Sequence, residues 1–163
     1  MNPKSEPSTK PAFLPPRWFI RTFWVVQRAI YAATGGRLGL RTATADHWGM
    51  MRLRTVGRRS GAPRRAILGY FEDGPDLVTM AMNGWGTPEP AWWLNLQAQP
   101  DTTVELVDGP RAVHGRAATP GERERLWARW AEYDEGLDAY AARRPGETAV
   151  VILEPRPSFP ANR

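Results

Sequence analysis

The chain has 163 residues, enough for one domain with its own hydrophobic core, and eight of them are tryptophan. Its 22 basic and 17 acidic side chains give a net charge of +5, which favours an anionic partner: a nucleic acid, a membrane surface, or a phosphorylated or carboxylated small molecule. The sequence contains no cysteine, which excludes disulfides, thiolate metal sites and cysteine nucleophiles.

The two ends of the chain differ in composition from the rest. Residues 1–14 are rich in Pro, Ser and Lys and have no apolar stretch typical of a secretory signal, so we expect a disordered leader. Residues 157–163 have the composition of a loose tail. We therefore expect a single domain over residues 15–156 in a cytoplasmic protein, and no stretch is apolar enough to span a bilayer.

An amphipathic helix is predicted over residues 17–33. At about 100° per residue, Arg21 and Arg28 fall near Arg17, and a face that includes Phe19 and Phe23 lies opposite. Two interpretations are open. The aromatic face either packs on the rest of the domain, or enters a membrane interface while the arginines contact anionic headgroups on the cytoplasmic side.

From residue 49 the hydrophobic period changes to that of a strand, because Met51, Leu53 and Thr55 alternate with Arg52 and Arg54. Turns rich in Gly, Pro and Asp separate the apolar runs that follow. The predicted strands are 50–56, 64–72, 76–82, 102–109, 110–119 and 148–155, and the predicted helices are 91–98, 119–133 and 136–144. Thr119 is predicted to cap its helix, with Glu122 completing a capping box. Consecutive short strands favour a mainly β (α+β) fold, an antiparallel sheet or small barrel, over a doubly wound fold.

The turn between the first two strands carries the highest charge density; we call residues 57–65 the basic hairpin. Six arginines lie within fourteen residues here: Arg52, Arg54, Arg58, Arg59, Arg64 and Arg65. Gly57 and Gly61 allow a tight turn with exposed N–H groups, and Ser60 adds a hydroxyl donor. This donor set is typical of a cradle for phosphate or several carboxylates. Two alternatives stay open, namely solvated charges at a strand edge and a nucleic-acid-binding surface.

The stretch "AMNGWGTPEPAWWLNLQAQP" is a second candidate. A strand end, a glycine-containing loop and a tryptophan-rich helix are typical of the wall of a pocket for a flat aromatic ligand. Backbone N–H groups of residues 82–84 would bond ring heteroatoms, Trp92 or Trp93 would pack on the ring, and Asn95 would donate to a polar edge. The alternative is that both tryptophans are core residues.

Tyr133 and Tyr140 are a third candidate, near the C-terminal helices. Their hydroxyl groups would line a substrate pocket as hydrogen-bond donors. The alternative is ordinary amphipathic packing. His47 and His114 are too few and too far apart to indicate a metal site, and no metal is expected.

In their order and spacing, "TVGRRSGAPRR", "FEDGPDLVTMAMN", "PAWWLNLQAQP" and "YAARRPGETAVVILEP" resemble the deazaflavin-dependent nitroreductase family. Its members use the reduced 8-hydroxy-5-deazaflavin coenzyme F-420 and include quinone reductases of actinobacteria. The resemblance covers about residues 15–155. It implies a split β-barrel of about six mostly antiparallel strands, flanked by an N-terminal helix and C-terminal helices.

The resemblance also implies a coenzyme site. The coenzyme tail, a phosphodiester with oligoglutamate, would be held by Arg58, Arg59, Ser60, Arg64 and Arg65. The deazaflavin and its ribityl chain would be flanked by Ala66, Ile67, Leu68, Gly69, Met80, Ala81, Met82 and Asn83. The site would be closed by Ala91, Trp92, Trp93, Leu94 and Asn95. Tyr133 matches one tyrosine of the family's acceptor pocket, whereas Gly136 stands near the place of another.

The implied activity is hydride transfer from the reduced coenzyme to a small electrophilic acceptor: a quinone, a nitro compound or an activated enone. A proton would come from solvent or from Tyr133. The alternatives are an FMN-dependent split-barrel oxidoreductase, a deazaflavin carrier without turnover, and a basic nucleic-acid-binding barrel. As binding partners we expect the small-molecule acceptor and no nucleic acid.

Overall fold

Short strands joined by tight turns make up most of the described chain. The computed structural model describes residues 39–86 and 88–157, so the expected leader (1–14), the expected helix (17–33) and nearly all of the expected tail lie outside it. The strands are β1 (Gly49–Val56), β2 (Pro63–Asp73), β3 (Asp76–Met80), β4 (Asp101–Leu106), β5 (Gly109–Ala117) and β6 (Val150–Pro155). The helices are α1 (Ala91–Ala98), α2 (Pro120–Ala131) and α3 (Leu137–Ala141), and a 3-10 turn spans Asn83–Trp85.

The six described strands form a closed antiparallel barrel in the order β1-β2-β3-β6-β5-β4, and β4 pairs back onto β1. Hairpins join β1 to β2, β2 to β3, and β4 to β5, while the last strand fits between β3 and β5. The predicted mainly β (α+β) class with a small barrel is confirmed. Because the described strands form a closed barrel, the sheet has no free edge that must be protected from pairing with another chain. Protection of a strand edge is therefore a weak explanation of the arginines.

The barrel interior is filled by the inward half of each strand. Met51 and Leu53 of β1 are fully buried, and Val104, Val113 and Leu153 meet them from other strands. Burying an aliphatic side chain of this size stabilises a fold by about 1.5–3 kcal/mol. The predicted alternation in β1 therefore places its apolar side chains in the barrel core.

Helix α1 packs into this interior rather than lying on its outside. Trp93 and Leu96 belong to the interior cluster. Leu96 covers Gly115 of β5 so closely that a Cβ atom there would lie 2.5 Å from the Leu96 Cδ2 atom. The glycine therefore fixes how deeply α1 can enter, and α1 is held beside the start of the basic hairpin.

Helices α2 and α3 cover the outer face of the barrel. Phe71 of β2 and Leu126, Trp130 and Leu137 of the helices form a second buried cluster, which we call the outer cluster. The Glu122 carboxylate accepts hydrogen bonds from the Thr119 N–H at 2.8 Å and the Thr119 hydroxyl at 2.9 Å. The predicted start of this helix, with Thr119 before it and Pro120 as its first residue, is confirmed.

Several boundaries differ from the sequence prediction by up to three residues: the predicted strands 102–109, 110–119 and 148–155 and the predicted helices 119–133 and 136–144 are all shorter in the structure. The difference that affects the candidate site is the end of β3. Strand β3 ends at Met80 and not at residue 82, although the Ala81 N–H still donates to the Ala149 carbonyl at 3.0 Å. Asn83 and Gly84 have φ angles of 45° and 58°, so the backbone turns into the left-handed region here and leaves the sheet. Among the helices that the structure describes, none is both long and apolar enough to cross a membrane.

Candidate functional site

The basic hairpin is a tight turn whose backbone hydrogen bonds are largely internal. The Gly57 N–H donates to the Ala62 carbonyl at 2.8 Å, and the Gly61 N–H donates to the Gly57 carbonyl at 2.7 Å. Gly61 has a φ of +66°, which only glycine adopts without strain. The Ser60 hydroxyl accepts the Ala62 N–H at 3.3 Å. Ser60 therefore shapes the turn, in addition to being a candidate donor to a ligand.

Asn95 of α1 joins the hairpin to the barrel. Its side-chain oxygen accepts the Arg58 backbone N–H at 3.1 Å and the Arg58 Nη1 at 3.4 Å, and its amide nitrogen donates to the Thr55 hydroxyl at 3.4 Å. Asn95 and Thr55 are both buried. The structure thus brings together two predicted site residues, Arg58 and Asn95, that lie 37 positions apart.

The register of β1 and β2 places Arg64 and Arg65, at the start of β2, on opposite faces of the sheet. Arg64 is opposite Thr55, whose side chain is buried in the barrel end, and Arg65 is opposite Arg54. Paired residues in an antiparallel sheet project to the same face. Arg64 therefore shares the face of Thr55, and Arg65 shares the outer face of Arg54.

The arginines of this region also differ in their counter-ions. Arg52 and Arg54 both form ion pairs with Glu105 of β4, a buried carboxylate with 11% of its side chain exposed. Within residues 39–86 and 88–157, no carboxylate forms an ion pair with the arginines of the hairpin itself, which are Arg58, Arg59, Arg64 and Arg65. All four are exposed.

The residues predicted to flank and close over a ring fall into two groups. Leu68, Ala81, Trp92 and Trp93 lie together in the interior cluster, and the two tryptophan rings are 6.2 Å apart. Met80 and Met82 lie in the outer cluster, because side chains alternate at the end of β3.

The remaining ring-site candidates lie beside these groups. Ala66 is opposite Leu53, Ile67 is opposite Arg52, and the Gly69 carbonyl accepts the Thr79 hydroxyl at 2.7 Å. The exposed Asn83 donates through its side chain to the Pro88 carbonyl at 2.9 Å. In α1, Ala91 is exposed and Leu94 is half-buried.

Tyr133 lies two residues after the end of α2 and packs against the outer cluster. Its ring centroid is 6.1 Å from that of Phe71, and its hydroxyl donates weakly to the Thr44 carbonyl at 3.5 Å. Tyr133 lines a cavity of about 300 Å³ together with Arg41, Asp46, His47 and Trp48. The structure therefore places this tyrosine in a cavity beside the cluster that contains Met82.

A larger cavity, of about 600 Å³, lies along α2. Its walls include the carboxylates of Glu124, Asp138 and Glu147, with Arg123 as a basic residue. An anionic ligand would be repelled there, and we therefore do not take this cavity as the counterpart of the basic hairpin. No group of three potential metal-binding side chains is found in the described part of the chain.

Arg144 is a polar residue of this region that sequence reasoning missed. The residue is buried, and its guanidinium donates to the carbonyl oxygens of Ala81 and Gly86 and to Glu89. In the sequence it is one of two adjacent arginines at the end of the helix predicted over residues 136–144. Burial could not be inferred, because its partners lie 55 to 63 positions away.

Comparison with known proteins decides the family. The model of the family described as "F420H(2)-dependent quinone reductase" matches residues 24–155. The chain belongs to this family. It is 34% identical over 149 residues to the "F420H(2)-dependent quinone reductase Rv1261c" of Mycobacterium tuberculosis, a match that covers 86% of this chain and 97% of the relative. A second Mycobacterium tuberculosis relative, "Putative F420H(2)-dependent quinone reductase Rv3178", is 30% identical and covers 61% of this chain and 83% of its own.

Solved structures share the fold of this quinone reductase family member. One is described as an "F420-H2 Dependent Reductase (FDR-A)", with a TM-score of 0.58 and 24% identity over 64% of this chain and 93% of that one. Another, described as a domain-swapped dimer, has a TM-score of 0.60 and 23% identity over 82% of this chain and 99% of that one. The expected family is confirmed, and the protein is an F-420-dependent oxidoreductase.

Proposed function

We propose that the protein transfers a hydride from reduced coenzyme F-420 to a small electrophilic acceptor, with quinones first among the candidates and nitro compounds and activated enones after them. The observation that carries the proposal is the basic hairpin, whose four arginines have no carboxylate partner among the described residues and which is joined to α1 through the contact of Arg58 with Asn95. The quinone class is supported by the names of the Mycobacterium relatives.

The donor set of the hairpin fits the anionic end of this coenzyme. A phosphodiester followed by glutamates offers planar carboxylates and phosphate oxygens, which guanidinium groups bind in bidentate geometry. Arg58 is oriented by Asn95, and Arg64 lies on the same end of the barrel as Thr55. These two arginines are the ones we expect to hold the tail.

The ring would lie between the end of β3 and the tryptophans of α1. Trp92 is half-buried, so it presents an apolar surface that would exclude water from one side of a flat ligand, and Trp93, which is buried in the barrel interior, supports it from behind. The bound coenzyme would supply the hydride, from carbon 5 of its reduced ring. The protein contributes orientation and a dry site, and this chemistry requires no acid–base dyad.

Tyr133 is the residue that we propose for the acceptor side. Among the described residues its hydroxyl has one hydrogen bond, a 3.5 Å contact with the Thr44 carbonyl, and a hydrogen bond this long leaves the hydroxyl able to turn towards a ligand in the adjoining cavity. A phenol at this place would hydrogen-bond a quinone carbonyl and supply the proton that the reduced product needs.

The test is a fluorescence titration of the purified protein with oxidised F-420. Wild type, Arg58→Ala/Arg64→Ala and, as a matched control, Arg54→Ala would be compared. We expect saturable binding of one coenzyme per chain that the double variant weakens by about a hundredfold or more, since each charged hydrogen bond contributes about 1.5–3 kcal/mol. Arg54→Ala should bind as wild type does, because Arg54 already pairs with Glu105.

Turnover would then be measured with reduced F-420 and three acceptors: a naphthoquinone, a nitrobenzene and a cyclic enone. Oxidation of the coenzyme with the quinone fastest supports the assignment. Binding without turnover on any acceptor would indicate a carrier. Absence of F-420 binding, alongside binding of FMN or a salt-sensitive oligonucleotide, would contradict the proposal and favour one of those two alternatives.

We also propose that residues 15–156 form one domain, for which the family match over residues 24–155 is the support. Residues 17–33 would either pack on the barrel or contact the cytoplasmic face of the membrane, where lipophilic quinones are found. Co-sedimentation with anionic vesicles, with and without residues 1–33, tests this. Equal binding by both chains would exclude the membrane role.

A further inference from the structure

Arg144 lies on the connection from α3 to β6, with only 1% of its side chain exposed. Its Nη1 donates to the Ala81 carbonyl at 2.8 Å and to the Thr148 hydroxyl at 2.9 Å. Its Nε donates to the Gly86 carbonyl at 3.1 Å, and its Nη2 donates to a Glu89 carboxylate oxygen at 2.9 Å. Every nitrogen of the buried guanidinium thus has a partner.

Three of these four partners belong to one short segment, residues 81–89, between β3 and α1. The segment leaves the sheet at Ala81, reverses through Asn83 and Gly84 in left-handed conformation, and then leads to α1. Between its described residues, 81–86 and 88–89, the Gly86 N–H donates to the Asn83 carbonyl at 3.1 Å and the Asn83 side chain donates to the Pro88 carbonyl at 2.9 Å. Arg144 therefore determines where this segment lies relative to the barrel.

The bond to Ala81 has a second consequence, for the next backbone N–H. The Ala81 carbonyl and the Met82 N–H belong to the same peptide group. A positive donor on the carbonyl polarises that group and makes its N–H a stronger donor. Among the described residues no acceptor bonds the Met82 N–H, so none of them competes with a ligand for this donor.

We propose that Arg144 is a positioning residue for the coenzyme ring: it fixes the 81–89 segment and strengthens the Met82 N–H as a donor to a carbonyl at the edge of the deazaflavin. This rests on the proposed function, since Met80 to Asn83 are the residues proposed to flank the ring. Lysine is a poor substitute, because a single ammonium cannot reach Ala81, Gly86 and Glu89 with a fork geometry.

The experiment separates ring binding from tail binding. Affinity is measured by fluorescence for intact F-420 and for its deazaflavin–ribitol fragment, which lacks the phosphate and glutamates. Arg144→Lys should weaken both ligands by a similar factor, about tenfold. Arg64→Ala should weaken only the intact coenzyme. Arg116→Lys is the matched control. Arg116 lies on β5 and forms ion pairs with two carboxylates, Glu122 of α2 and Glu154 of β6, and its substitution should affect the affinity for neither ligand.

Amide hydrogen exchange of the free proteins gives an independent readout. In Arg144→Lys, exchange should rise in residues 81–89 while the barrel strands stay protected, and in Arg116→Lys the segment should be unchanged. If Arg144→Lys does not fold, Glu89→Ala removes a more exposed partner of the same guanidinium and should weaken both ligands by about threefold.

Two outcomes overturn the inference while the proposed function stands. One is an Arg144→Lys protein that binds the ring fragment as wild type does. The other is a loss of affinity confined to intact F-420, which would make Arg144 part of tail binding. If wild type binds neither ligand, the proposed function itself fails and takes the inference with it.

Discussion

Arg52 and Arg54 in β1 and the four arginines of the basic hairpin lie within fourteen residues of each other, yet their surroundings differ. The first two converge on Glu105, and the four that follow have no carboxylate partner among the described residues. An unpaired guanidinium cluster is available for an anionic ligand, whereas a paired one links strands. Local charge density therefore overstates the size of an anion site, and the counter-ions determine which charges belong to it.

The largest predicted effect is a loss of stability when the ion pairs of Arg52 and Arg54 with Glu105 are removed. Glu105→Gln leaves two arginines without their carboxylate, and Arg52 has only 14% of its side chain exposed. We expect the free energy of unfolding in urea to fall by about 3 kcal/mol. Glu124→Gln, an exposed acid on α2, should change it by less than about 0.5 kcal/mol. An unchanged free energy of unfolding in Glu105→Gln would show that the ion pairs do not link β1 to β4.

The second prediction divides the hairpin itself. Arg64 shares the face of Thr55, and Arg65 shares the outer face of Arg54. Arg64→Ala should therefore weaken F-420 binding about tenfold, and Arg65→Ala less than about threefold, since charged hydrogen bonds contribute about 1.5–3 kcal/mol each. The fluorescence titration measures both. Equal losses would mean that the tail crosses both faces of the ribbon.

The third prediction concerns the backbone of the turn. Gly61→Ala places a Cβ where φ is +66° and nothing lies within 4 Å, so the change is one of backbone strain and should cost about 1 kcal/mol of stability. Gly74→Ala, with φ of +60° in the β2–β3 turn, is the matched control and should cost a similar amount. Only Gly61→Ala should lower coenzyme affinity; an equal effect at Gly74 would point to a general loss of stability.

The smallest effect extends the comparison to another paired arginine. Arg116, with the Thr119 N–H and hydroxyl, holds the pKa of Glu122 at about 2, below its ordinary value of 4.5. Because the folded pKa is the lower one, this stabilisation is complete above pH 4.5 and is lost as the pH falls towards 2. The difference in Tm between wild type and Glu122→Gln should follow that window. A difference that does not change with pH would remove the ion pair as its cause.

Much of the fold could be predicted because its signals are local. The alternation in β1, the glycines of the basic hairpin and the capping box at Thr119 each act within a few residues, and each appears in the structure as expected. The end of β3 was misplaced by two residues because the left-handed backbone at Asn83 has no strong signal in a run such as "TMAMNGWG".

The candidate site was predictable only in part. The charge cluster and the tryptophan helix are visible in the sequence, and Arg58 and Asn95 prove to be in contact. Which arginines are paired or buried could not be predicted from the sequence. Whether an arginine is paired depends on Glu105, more than 50 positions from Arg54, and whether one is buried depends on carbonyl groups that only the barrel brings to Arg144.

The sequence by itself determined the strands, the turn that concentrates the arginines, and the family to which the chain belongs. The tertiary structure decided which arginines are neutralised, which face each occupies, and that Arg144 is buried among backbone carbonyls. The physical reason is that period and turn chemistry act over a few residues, whereas ion pairing and burial depend on distances in space that barrel closure alone sets.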